Sequence, residues 1–333
     1  MARGAVYNKI YTPEDWGRVN QENKDIMYDF LEEYRQQKKK PSTLKQYEND
    51  IRIIMTLIYK ICGNKSILAL NKKDFRKISL HLSEDLKMSN ARVNRIMSCC
   101  RSMLTYCEDD DDYKYDVNAA KKVKGLPKER VRTNEDDFFL SFDQIIRLRD
   151  ELIKRGDLQR AVLLMLSFDS GARRNEIAQV LKHGLADGNK TNVVVGKRGK
   201  SFPLVYLDDT RELIKQYLEQ RGEDDIDSLW VVGSGESKRQ ASYELLYSWV
   251  VDMSGVLSEI EGKKYNIFPH AFRHSRAECL VRGGDTRILD ENGEPKKFSL
   301  DQVQKLLHHS DVNTTQGYIK DDSENEIDEM FGF

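Results

Sequence analysis

Apolar residues recur at three- and four-residue intervals through the first third of the chain. In DIMYDFLEEYRQQ (25–37), Ile26, Phe30, Leu31 and Tyr34 fall on one stripe. The same period runs through STLKQYENDIRIIMTLIYKIC, a helix expected to open at Ser42, and continues in NKKDFRKISLHLSEDL (71–86) and SNARVNRIMSCCRSMLTYCE (89–108). Residues 1–120 therefore read as an all-helical bundle. Residues 121–137, KKVKGLPKERVRTNEDD, break the pattern: they are charged throughout, hold Gly125 and Pro127, and suit an exposed linker. From FFL (138–140) onward the pattern is mixed. SFDQIIRLRDELIKRG (141–156) is amphipathic behind a serine cap. LQRAVLLMLSFDSG (158–171) is apolar nearly all round, as a buried helix is. RRNEIAQVL reads as another helix, and TNVVVG (191–196) and SFPLVYL (201–207) are β-rich runs around the turn KRGK, the signature of an antiparallel hairpin. Helices are expected at 208–221, at about 240–260, in HAFRHSRAECLVRGG and in LDQVQKLLHH. The expected fold has two domains: an all-α bundle, then a mixed α/β, mainly helical domain over 138–333 with one small hairpin.

Bulk properties narrow the class. The 333 residues contain no run of 18 apolar positions, so no membrane span is expected. MARGAVYNKIYTPEDW lacks a basic-then-apolar leader pattern, which points to the cytoplasm. Cys62, Cys99, Cys100, Cys107 and Cys279 form no C-x-x-C pair and read as reduced, mostly buried thiols. The net charge of −1 conceals an asymmetry: residues 1–134 carry 27 Lys and Arg against 19 Asp and Glu, whereas the remainder carries 27 against 36. A basic first part suits a polyanionic partner. Arg92, Arg95 and Arg101 beside an apolar helix face, and the linker cations Lys121, Lys122, Lys124, Arg130 and Arg132, fit either a solvated surface or contacts to a nucleic-acid backbone. The acidic run CEDDDDYKYD (107–116) lacks calcium-loop spacing and reads as a solvated loop. With no G-x-x-x-x-G-K-[ST] loop, no nucleotide cofactor is expected.

The second half holds several polar groupings that are bland when taken singly. Arg173 and Glu176 in SGARRNEI are three apart, the spacing of a local salt bridge, and His270 and Arg273 in HAFRH share a helix face. His270 and His274 have metal-ligand spacing without the glutamate of H-E-x-x-H, so no metal is expected. In LLHHSDVNTTQGYIK (306–320), Tyr318 lies nine residues after His309. Together, two helix-borne arginines, a hairpin lysine, histidines and a late tyrosine are the parts for phosphoryl transfer to the protein's own tyrosine. Arginines hold a phosphodiester's oxygens in forked hydrogen bonds. A tyrosine attacks phosphorus in line, a histidine takes its proton, and a lysine protonates the departing oxygen.

Their order and spacing resemble the tyrosine recombinase family, which includes the phage integrases. Its first box, roughly T-G-L-R-x-x-E-[IL], is matched by Ser170 to Ile177, its H-x-L-R-H box by His270 to His274, and its late box by Leu307-His308-His309 followed by Thr314-Thr315-Gln316-Gly317-Tyr318. GKRGKSFPL matches the lysine hairpin, with Lys197 as its lysine and Lys200 in reserve. Two departures stand out: Ala172 where the family has leucine, and His308 where it has glycine. The helical segments before residue 120 look like the family's DNA-binding domain. The resemblance implies that Arg173 and Arg273 bind the scissile phosphate, His309 adds a hydrogen bond, Glu176 orients the cluster, His270 assists as base, and Tyr318 forms a 3′-phosphotyrosine. It further implies double-stranded DNA as partner, a tetramer on two paired sites, and no need for ATP or metal. Ile327, Met330 and Phe331 of the tail (319–333) are expected to dock on a neighbouring protomer. Two other classes share the fold: a repressor derived from an integrase, and a type IB topoisomerase-like nicking-closing enzyme.

Overall fold

The structure, a computed structural model, describes residues 10–127 and 138–308. The chain divides into two compact units, Met1–Val131 and Arg132–Phe333. The first is helical. Helix α1 (Pro13–Arg18) is capped by Thr12, whose hydroxyl accepts from the Asp15 amide. Helices α2 (Gln21–Gln36), α3 (Pro41–Ile61), α4 (Lys72–Leu80) and α5 (Asn90–Asp109) follow. Each turns its apolar stripe inward. Phe30 and Met27 of α2, Ile51, Ile54 and Ile58 of α3, Phe75 and Ile78 of α4 and Ile96, Met103 and Leu104 of α5 form one core. Helix α3 begins at Pro41, not Ser42. Proline lacks the N–H that a first turn leaves unpaired, and Lys40 precedes it without a side-chain cap.

Two further expectations are corrected here. The acidic run is not a plain solvated loop: α5 continues to Asp109, Asp111–Tyr113 forms a 3₁₀ turn, and the Tyr113 hydroxyl donates to Asp29 at 2.5 Å. Residues 121–127 are not free linker either. Asn94 on α5 donates to the Leu126 carbonyl at 2.9 Å and accepts from its amide at 2.8 Å, and Lys121 pairs with Glu108. The first unit thus extends past residue 120. All five cysteines are buried free thiols.

In the second unit, helix α6 (Phe142–Lys154) opens with a Ser141–Gln144 capping box. Helix α7 (Leu158–Ser170) is central, with every residue from Ala161 to Ser170 buried. Helix α8 (Arg174–Ile177) is a single turn rather than the longer helix expected of RRNEIAQVL. The reason is local: the Gln179 side chain accepts from the Val195 amide at 2.9 Å, and Asn192 donates to the Gln179 carbonyl at 3.0 Å. Those side chains take the backbone out of the helix and pin it to the hairpin. Strands β1 (Lys190–Val195) and β2 (Ser201–Val205) pair antiparallel, with Val194 opposite Phe202 and Val195 opposite Ser201. Helix α9 (Asp208–Arg221), the short strands β3 (Val231–Val232) and β4 (Arg239–Gln240), and helices α10 (Tyr243–Glu261), α11 (Pro269–Arg282) and α12 (Leu300–Leu306) complete the unit. Among the described residues no helix is long and apolar enough to cross a membrane.

Behind this framework lies a buried ionic network. Arg276 of α11 donates to Asp285 at 2.5 Å and to the Asp169 carbonyl at 3.1 Å. Arg287 reaches Asp169 at 2.6 Å, Asp285 at 2.9 Å and Asp209 at 2.9 Å. Burial pushes the Asp285 carboxyl up, but hydrogen bonds from Arg287 and the Arg276 charge hold it below its ordinary value. Breaking such a pair from one side strands charge in a low dielectric. Asp285→Ala should therefore lower unfolding stability by about 3–5 kcal/mol, read as a shifted urea midpoint. A loss under about 1 kcal/mol, the size of a surface pair, would show that the network is dispensable.

Candidate active site

The site starts where α7 stops. Gly171 ends the helix at φ +57, a conformation that favours glycine, and a Cβ there would lie 2.4 Å from the Leu307 side chain and displace it. Two residues on, extended Arg173 caps α8. Its amide donates to one Glu176 oxygen at 2.7 Å, and its guanidinium donates to the other at 3.2 Å. Glu176 is buried, whereas a quarter of the Arg173 side chain stays exposed. The carboxylate also faces the hairpin: a Cβ on Gly196 would meet it at 3.0 Å and the Phe202 ring at 2.9 Å.

Arg273 rises from α11 and is only 1% exposed. One terminal nitrogen donates to the Gly171 carbonyl at 2.5 Å, the other to the Leu307 carbonyl at 2.6 Å. It thereby joins the end of α7 to the end of α12, two residues before His309. His270, near the start of α11, is exposed at the surface but crowded on its inner side. Desolvation, then the charges of Arg273 and Arg173, hold its imidazole below the ordinary histidine value. His274 lies 6.4 Å from it, ring to ring, packed near Phe139 and Phe268. His308 follows α12 with φ +52, and its ring stacks on Phe202 at 3.6 Å. Desolvation lowers its pKa first; Glu176 pulls the other way, and Arg273, Lys200 and Arg173 lower it further.

Of the residues singled out from sequence, Arg173, Glu176, Arg273 and His270 are thus within electrostatic reach of one another. Lys200 acts on the same space through His308, and Lys197 stands exposed in the 3₁₀ turn Lys197–Gly199. His309, Tyr318 and the tail with Ile327, Met330 and Phe331 lie outside the described residues, as do Arg130 and Arg132. In the first unit, Arg92 and Arg95 are not simply surface cations: both pair with buried Asp50, at 2.9 and 3.1 Å. Lys122 and Lys124 are exposed, and Arg101 is half-buried. Sequence reasoning missed Asp169, Arg276, Asp285 and Arg287 entirely. Their partners lie as many as 118 positions apart, and no local spacing announces them.

Residues 139–294 match the phage integrase family. Tyrosine recombinase XerC of Treponema denticola is 24% identical over 298 residues, spanning 83% of this chain and 87% of that protein. XerC of Rickettsia canadensis is 23% identical over 291 residues, spanning 84% and 86%. Among solved structures, a lambda integrase tetramer bound to a Holliday junction superimposes with a TM-score of 0.62 at 12% identity, covering 89% of this chain and 77% of that one. XerH site-specific recombinase bound to difH substrate gives 0.59 at 14% identity, covering 86% and 78%. At such identities the structural likeness speaks for the fold, which is the two-domain, mainly helical fold of these recombinases. The family match over residues 139–294 and the aligned relatives make the chain similar to the tyrosine recombinases.

Asp50 generates a prediction for the first unit. Desolvation pushes its carboxyl up to about 6, although Arg95 and Gln46 oppose the shift. A folded pKa above the ordinary 3.8 means that the proton favours the fold; this contribution is full below about pH 4 and lost as pH rises through 6. Stability of Asp50→Asn relative to the parent should therefore improve between pH 4 and pH 7 in chemical unfolding. A difference that stays constant over that range would show that Asp50 titrates normally.

Proposed function

We propose that this protein is a site-specific DNA recombinase that cleaves and rejoins strands through a 3′-phosphotyrosine on Tyr318. One observation carries the reading: Arg173, Arg273, His270 and the Glu176 carboxylate converge where the backbone leading into His309 is fastened to Arg273. Such a cluster suits a phosphodiester, whose transition state gathers charge on its non-bridging oxygens. Arg173 and Arg273 hold those oxygens, and His309 adds a hydrogen bond. Glu176, bound to both the amide and the guanidinium of Arg173, sets that arginine's orientation. Tyr318 Oη attacks phosphorus, the P–O5′ bond breaks, and the tyrosine proton passes to His270. A tyrosine with an ordinary pKa near 10 needs this help at neutral pH. Lys197, with Lys200 in reserve, gives a proton to the departing 5′-oxygen. Attack by another 5′-hydroxyl reverses the step. The covalent link conserves the bond energy, so neither ATP nor metal is required. The relatives' DNA-bound forms support double-stranded DNA as the partner, with protomers assembling on paired sites inside the cell.

Tyr318→Phe removes one hydroxyl. With a nicked suicide duplex carrying the cognate site, the variant should bind DNA normally and form no covalent adduct; an adduct from the Phe protein would exclude Tyr318 as nucleophile. Arg173→Ala should slow adduct formation by about 10²–10³, the usual effect of one lost oxyanion donor. Binding should fall far less, because many other phosphate contacts remain. Equal losses in both would make Arg173 a general affinity contact. Because the lowered pKa keeps His270 neutral, cleavage should stay level from about pH 8 to below the ordinary histidine value of about 6.5. A decline that begins above that value would rule out His270 as the base.

A further inference from the structure

His308 departs from the family pattern, and its geometry has a consequence for the hairpin. The position takes φ +52, a conformation that glycine adopts freely and a histidine adopts at a cost. Something must hold the side chain there. Its ring lies on Phe202 with centroids 3.6 Å apart and planes 22° apart, a close stack. Phe202 sits in β2 two residues beyond Lys200, opposite Val194 of β1, and the turn before it is closed by the Gly196 amide donating to the Lys200 carbonyl at 2.8 Å. Phe202 also lies close to Gly196, where an added Cβ would meet its ring at 2.9 Å and the Glu176 carboxylate at 3.0 Å. The residue before His308 is Leu307, whose carbonyl Arg273 binds. A continuous run of contacts therefore links the Arg273-bound end of α12, through one aromatic stack, to the strand that carries the turn lysines.

We propose that His308 is a positioning residue whose ring clamps the lysine hairpin against the arginine cluster. Its role, which rests on the strand-transfer reading above, is to hold the lysine where it can reach the 5′-oxygen as the P–O5′ bond breaks. The imidazole itself transfers no proton in this step. The depressed basicity of His308 favours the neutral ring in this stack. Glycine at 308 would relax the backbone and remove the clamp, which separates positioning from folding.

The test compares wild type, His308→Gly and His308→Phe on two suicide duplexes, one with the natural 5′-oxygen at the scissile bond and one with sulfur in its place. A thiolate leaves without a proton, so the sulfur substrate does not need the lysine. His308→Gly should slow cleavage of the oxygen substrate about tenfold to a hundredfold, within the ~10²–10⁴ that a proton donor supplies. On the sulfur substrate it should match wild type, and His308→Phe should retain most activity on both. In the DNA-free protein, hydrogen exchange at the Gly196 amide should quicken about tenfold in His308→Gly and stay slow in His308→Phe, a local opening of the hairpin. Four results overturn the clamp: normal oxygen cleavage by His308→Gly, equal loss on both substrates, a His308→Phe protein that behaves like the glycine variant, or unchanged exchange at Gly196. If wild-type protein forms no adduct with either duplex, the strand-transfer reading itself fails, and the exchange result then stands alone as the measure of the contact.

Discussion

Everything near the site depends on where one buried guanidinium spends its hydrogen bonds. Arg273 holds the last carbonyls of two helices that are far apart in sequence, Gly171 after α7 and Leu307 after α12. Helix ends leave carbonyls without intrahelical partners, and burying them costs free energy unless a donor arrives. A planar fork with several fixed N–H groups can serve two such ends at once, which an ammonium on a flexible stem does poorly. The same residue thus satisfies the backbone and brings three separate stretches of chain to one point. Its burial follows from this: a guanidinium that bridges two interior carbonyls has little surface left to show.

Charge around that point is arranged in two layers. In front, Arg173 and Lys200 add positive potential beside the neutral His270, and buried Glu176 is the nearby carboxylate that faces them. Behind, Asp169, Asp285 and Asp209 are matched against Arg276 and Arg287. The rear layer joins the end of α7 to α11 and so braces the same helices that carry the front layer. Separating the two matters physically. The rear charges are largely neutralised among themselves, which leaves the excess positive potential on the face where an anion would arrive.

Much of this was legible in the residues. The stripes of α2 and α5, the all-apolar α7, the hairpin and the glycine-terminated α11 follow from periodicity and end signals, because burial of one face dictates them. Arg173, Glu176, His270 and Arg273 were legible as a set, because their chemistry is meaningful only when combined. What could not be read were features decided by distant partners. The short α8 is ended by Gln179 and Asn192 side chains, whose choice of partner depends on where β1 lies. Arg92 and Arg95 looked like free cations until the fold brought Asp50 of α3 against them. His308 looked like a lapse from a glycine pattern until Phe202 appeared beneath it.

The hairpin's attachment has a consequence for how such a chain tolerates change. Gln179 and Asn192 fasten the base of β1, while the outward-facing Val193 and Val195 are 61% and 44% exposed. The fastening uses backbone groups and two amides, so it is indifferent to which side chains decorate the outer face. An engineer randomising this surface to alter recognition could diversify 193 and 195, yet would do better to leave Gly171 and Gly196 alone, where an added carbon would force Leu307, or Phe202 and Glu176, to shift. The region combines a permissive exterior with an inflexible lining only a few ångströms away.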